Sequence, residues 1–143
     1  MSDEKKPMVM YAASYDTVPA ALQALDAIEQ LYGNEVIGSF DAAVIDQENG
    51  NPRIVRRMDR PRVRVIPEQL GGGALPRKEL KEAAGELTAN RAGLIAVGEP
   101  TIDKAVGKAL ETADKVVKRT VDASPDEITQ ELQEALKASP AAP

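Results

Sequence analysis

Sliding the chain 84 places along itself brings Met10–Ala13 over Leu94–Val97, Thr17–Val18 over Thr101–Ile102, and Ala21 over Ala105. Each copy begins as a short apolar run, passes through a turn carrying a hydroxyl, and continues as a helical pattern with apolar residues three and four apart. This repeat restricts the topology more than any other feature. Two βαβ units with right-handed crossovers, placed in one sheet, interleave into a four-stranded antiparallel sheet with two helices on one face. The expected fold class is therefore α+β, a ferredoxin-like sheet built from two βαβ halves.

Local signals fill in the elements. Met8–Ser14 reads as a strand, and Asp16-Thr-Val-Pro19 places cap-type residues and an early proline before a helix whose Ala21, Leu22, Leu25, Ile28, Leu31 and Tyr32 share a face. Phe40–Asp46 and Arg53–Met58 flank Asn49-Gly50, a pair that tolerates the positive φ of a tight hairpin turn. Arg62–Val65 alternates like a strand, but Pro61 and Pro67 bracket it, which suits an edge strand or extended arm. Gly71, Gly72 and Gly73 form a hinge, and Pro76 opens a peripheral helix over 77–88 with Leu80, Ala83, Ala84 and Leu87 on one side. Ala92–Gly98 and Val116–Val121 read as strands on either side of a helix carrying Val106, Ala109 and Leu110. Ser124-Pro-Asp-Glu127 combines an N-cap serine with the reciprocal glutamate of a capping box. It predicts a C-terminal amphipathic helix with the narrow stripe Ile128, Leu132 and Leu136, a face for oligomer contact or for covering the sheet. The domain reading is a flexible 1–7, one domain over 8–137 with an insertion at about 53–90 between the halves, and a flexible tail over 138–143.

Composition limits the chemistry. The chain has 143 residues with no His, Cys or Trp, so an imidazole base, a thiolate nucleophile, a Cys/His zinc site and a disulfide are all excluded. No catalytic residue, metal site or cofactor is expected. Ser14, Tyr15 and Thr101 are the hydroxyls an enzyme would have to use, and helix capping accounts for their positions. Alanine supplies 22 residues against three tyrosines and one phenylalanine, so the core must pack its layers closely. No apolar run reaches the roughly 18 residues of a membrane-spanning helix, and no secretory leader is visible, which predicts a cytoplasmic chain without membrane insertion. The formal charge of −5 and the scarcity of rings argue against nucleic acid, because sheet-borne single-strand binding needs stacked aromatics in a basic surround.

These elements together resemble a family of small bacterial proteins of unknown function, drawn as two βαβ halves around a glycine-rich membrane-embedding hairpin. The likeness is carried by the opening strand and helix, Asp41-Ala-Ala-Val-Ile-Asp46 with its hairpin to Arg56, Gly71–Gly73, Ala92-Gly-Leu-Ile-Ala-Val97 and Lys115-Val-Val-Lys-Arg-Thr120. It implies the fold and no reaction. The long apolar hairpin of that pattern is reduced here to polar residues and a triple glycine, so the resemblance implies a soluble form.

One charge feature stands apart. Six of the nine arginines, Arg53, Arg56, Arg57, Arg60, Arg62 and Arg64, fall within twelve residues and are opposed only by Asp59. Guanidinium groups hold carboxylates and phosphates bidentately. The segment can protect a sheet edge, latch onto an acidic face of its own or a neighbouring subunit, or grip a foreign anion. Residues 1–48, with nine acids against two lysines, supply such a face. The functional expectation is a non-catalytic binding or assembly module, homo-oligomeric through sheet or helix packing and the Arg-rich arm. The alternative is a sensor for a small anionic ligand, a nucleotide or metabolite, held by Arg53–Arg64. Expected partners are a second copy, an acidic protein or a small anion.

Overall fold

The computed structural model describes residues 6–33, 40–48, 51–58, 65–67, 75–88, 90–100 and 103–138. The elements run β1 (Lys6–Tyr15), α1 (Val18–Gly33), β2 (Phe40–Glu48), β3 (Asn51–Arg57), α2 (Lys78–Leu87), β4 (Ala92–Gly98), α3 (Asp103–Ala109), β5 (Lys115–Ala123) and α4 (Pro125–Ala138). Helix starts follow the sequence signals. The Thr17 hydroxyl accepts the Ala20 N–H at 3.2 Å. The capping box closes in both directions, with Glu127 N–H on Ser124 Oγ and Ser124 N–H on Glu127 Oε1, each at 3.1 Å.

The architecture is mixed α+β: among the described residues, five antiparallel strands in the order β3-β2-β4-β1-β5 with four helices. The expected four strands are joined by β3; the helices of the two halves, α1 and α3, share one face as expected, and of the covers left open for the other face it is the 77–88 and 125–137 helices that dock there. Even-numbered residues of β1 (Met8, Met10, Ala12) pack with Leu80, Ala84 and Leu87 of α2 and with Ile128, Leu132 and Leu136 of α4. Odd-numbered residues (Val9, Tyr11, Ala13, Tyr15) pack with Leu25 and Ile28 of α1 and with Val106 of α3. A sheet apolar on both faces must be covered on both. The amphipathic α2 and α4 supply the second cover, so α2 belongs to the core and is not peripheral.

Small side chains set the layer spacing. Ala12, Ala13, Ala42, Ala43 and Ala96 are all fully buried on the three central strands. The closest approach is at Gly93 of β4, where a Cβ would lie 2.6 Å from the Leu87 carbonyl oxygen and 2.9 Å from Leu87 Cα. The end of α2 reaches the sheet because that position has no side chain. Among the described residues no helix is long and apolar enough to cross a membrane.

Candidate functional site

The basic hairpin is built by β2 and β3, with Asp46 opposite Arg53 and Ala43 opposite Arg57. Between Val44 and Ile45 the register shifts by one residue, since Val44 faces Arg56 while Ile45 faces Ile54, leaving Val55 as the extra residue of a bulge. A one-residue shift moves every later side chain to the opposite face. Arg56 therefore shares the face of α1, and Arg57 shares the opposite face with the buried Asp41.

All three described arginines of the segment are engaged by their own chain. Arg53 grips Asp46 bidentately, Nε to Oδ1 at 3.0 Å and Nη2 to Oδ2 at 2.8 Å. Arg56 donates from Nη2 to both Asp26 and Glu29 of α1. The Asp26 hydrogen bond raises the Arg56 pKa, slight burial opposes this, and the Glu29 hydrogen bond adds to the rise. Arg57 donates to the Ile66 carbonyl at 2.8 Å and the Pro67 carbonyl at 2.9 Å, with Nη2 at 3.7 Å from Asp41 Oδ2.

Asp41 is the centre of this arrangement. Its side chain is fully buried, and Oδ2 accepts the N–H groups of Val65 at 3.0 Å and Ile66 at 2.9 Å, while Oδ1 accepts the Ala42 N–H at 2.9 Å. A buried carboxylate persists when its lone pairs meet donors and a cation lies beside it. The Thr129 hydroxyl of α4 donates to the Val65 carbonyl at 2.6 Å, and the Met58 N–H donates to the Ala42 carbonyl at 2.8 Å. The chain is thus tied to β2 at Met58 and again at Val65–Ile66. Of the edge strand or extended arm expected over Arg62–Val65 only Val65 is among the described residues; it lies outside any strand and is fully buried.

Arg60, Arg62 and Arg64, the hinge Gly71, Gly72 and Gly73, the Asn49-Gly50 turn and Thr101 lie outside the described residues. So do residues 1–5 and 139–143, on which the readings of flexible ends mostly fall. Ile128, Leu132 and Leu136 are fully buried within the chain's own core, so of the two roles left open they cover the sheet. Ser14 and Tyr15 are buried as well. Burial raises the Tyr15 pKa, and Thr112 only partly counters it. Tyr11 packs into the layer under α1 and does not present a ring for stacking. Among the described residues no three His, Cys, Asp or Glu side chains are grouped to hold a metal ion.

Sequence reasoning missed a second ionic cluster beside β5. Arg77 donates from Nε and Nη2 to the two carboxylate oxygens of Glu131, both at 2.8 Å, and its backbone N–H also reaches Glu131 Oε1 at 2.8 Å. Glu127 lies 3.6 Å away. Burial pushes the Glu131 carboxyl up, but the side-chain and backbone hydrogen bonds from Arg77, with its charge, outweigh that and leave it below the ordinary range. Arg119 of β5 meets Glu82 of α2 at 2.9 Å. The available signal was an arginine beside the positive end of a helix, an unfavourable place for a cation unless acids face it. No protein-family model, curated protein or solved structure matches this chain.

Proposed function

We propose that this chain is a non-catalytic binding or assembly module whose sheet and helices serve as a rigid mount for the basic segment. The observation that carries the proposal is the Asp41 clamp. It fixes the chain at Val65–Ile66, and Met58, which follows β3, is held on Ala42 of β2, so the described residues on both sides of the sequence stretch 59–64, which contains Arg60, Arg62 and Arg64, are anchored on β2. The fitting partner is acidic protein surface, a second copy first. Arg53, Arg56 and Arg57 serve to lock the hairpin, which disfavours the small-anion reading for those three residues.

Within this proposal the sheet is ferredoxin-like. Support comes from the order β2-β4-β1-β5, in which β4 lies between β1 and β2 and β1 lies between β4 and β5. On that reading β3, α2 and α4 are additions to the doubled βαβ unit, and descent from the bacterial family of that pattern follows as part of the proposal.

The test compares the parent with an Arg60→Ser, Arg62→Ser, Arg64→Ser variant by size-exclusion chromatography with light scattering at low and high salt. A parent mass above one chain that falls to one chain in the variant supports the module. A monomeric parent that phosphate, nucleotides or dicarboxylates stabilise in thermal melts, with the effect lost in the variant, transfers the function to ligand sensing.

A further inference from the structure

β5 pairs with β1 from Lys6 opposite Ala123 to Ser14 opposite Lys115, and no described strand lies beyond it. Peptide groups along a strand point alternately to its two sides. Two β5 carbonyls four residues apart, hence on one side, accept guanidinium donors: Arg119 Nη1 reaches the Lys118 oxygen at 2.7 Å and Arg77 Nη1 reaches the Asp122 oxygen at 3.2 Å. Those positions are where a neighbouring strand would donate its N–H groups. Both arginines are held in place by acids of the helical layer, Arg119 by Glu82 and Arg77 by Glu131 with Glu127.

The side chains along the same edge are self-complementary. Val116, Lys118, Thr120 and Asp122 are exposed on the face of β5 that carries the Lys118 ammonium above the Tyr11 ring at 6.0 Å. When a second β5 is laid antiparallel across a twofold axis at Thr120, Lys118 falls opposite the second copy's Asp122, twice by symmetry, and threonine falls opposite threonine. Opposite charges and Thr–Thr pairs are the favourable cross-strand combinations, and like charges are unfavourable. Axes at Lys118 or Arg119 put each residue against its own like charge. Unguarded edges of this length invite pairing with another chain.

We propose that the outer edge of β5 is a latent self-pairing edge, with Thr120 on its twofold axis, and that Arg77 and Arg119 hold it shut. β5 lies at the opposite edge of the sheet from β3, which carries Arg53, Arg56 and Arg57, and the pairing uses none of the basic segment, so it stands independently of the assembly reading above. The test is an Arg77→Lys, Arg119→Ala variant followed by light scattering at high micromolar concentration, with circular dichroism to check folding. The expected result is a doubled mass relative to the parent. Adding Lys118→Asp should return the mass to the parent value, and adding Asp122→Lys on top should double it again. A folded double variant with the parent's mass overturns the proposal, as does a doubled mass indifferent to Lys118→Asp. Should the double variant lose its native spectrum, Glu82→Gln decides by the same criteria, because it releases Arg119 and leaves the Arg77–Glu131 pair intact. Dependence of the doubled mass on Arg60, Arg62 and Arg64 would assign it to the basic segment and overturn the edge proposal.

Discussion

Replacing Asp41 by alanine removes the acceptor on which the return of the chain at Val65–Ile66 depends. Two backbone N–H groups, Val65 at 3.0 Å and Ile66 at 2.9 Å, lose their shared oxygen in a fully buried position. A buried donor left without a partner costs about 1–3 kcal/mol. Arg57 also loses the carboxylate at 3.7 Å but keeps the Ile66 and Pro67 carbonyls and partial access to water, so its share is small. Two such donors sum to about 2–6 kcal/mol, a range that brackets the roughly 3–5 kcal/mol lost when one member of a buried charged pair is deleted. Against a typical stability of about 5–15 kcal/mol that is a large fraction. Asp41→Asn keeps the shape and an amide oxygen that can accept, and is expected to cost about 1–2 kcal/mol. Urea unfolding followed by circular dichroism measures both, with an unchanged slope for Asp41→Asn. A loss below about 1 kcal/mol for Asp41→Ala would refute the clamp.

Gly93→Ala should lower stability by about 1–3 kcal/mol in the same assay, since the added Cβ lies 2.6 Å from backbone that cannot move without the end of α2. Gly85→Ala is the contrasting case, with nothing within 4 Å of its Cβ inside α2, and should gain about 0.5–1 kcal/mol; equal effects at the two glycines would contradict the packing described. Leu132→Ala should cost about 2–5 kcal/mol in denaturant titration and leave the mass unchanged by light scattering, whereas a lower mass with unchanged stability would return this stripe to an oligomer contact. The Glu131 carboxyl is depressed in the folded chain, so the Arg77 pair contributes fully above the unfolded value of about 4.3 and is lost as pH falls through the folded value. The stability difference between parent and Glu131→Gln should therefore be constant near neutral pH and shrink below about pH 4, and a difference that grew on acidification would show the sign to be wrong.

Most elements were legible because their signals are local. The capping box at Ser124–Glu127, the Thr17 cap and the apolar spacing of α1 need only neighbours within one or two helical turns. Clustering of the arginines was equally visible; of the described ones, Arg53 meets Asp46 and Arg56 meets Asp26 and Glu29. Their individual partners were not legible. Asp41 looked like one more acid on a strand, because its donors come from residues 24 and 25 positions later. Arg77 and Glu131, 54 positions apart, meet only once α2 and α4 lie side by side on the sheet.

By itself the sequence determined where most helices and strands lie, that the core is rich in alanine, and that positive charge concentrates in one twelve-residue stretch. Hydrogen bonding and periodicity act over a few residues, so they are written in local order. The tertiary structure alone decided what covers the second sheet face, the chain's own α2 and α4, which turns Ile128, Leu132 and Leu136 into core. It also placed the bulge at Val55, and that single extra residue sends Arg56 toward α1 and Arg57 toward Asp41. Side-chain direction in a strand has a period of two, so one residue of register reverses every later contact, and a bulge exists only in the pairing of two strands.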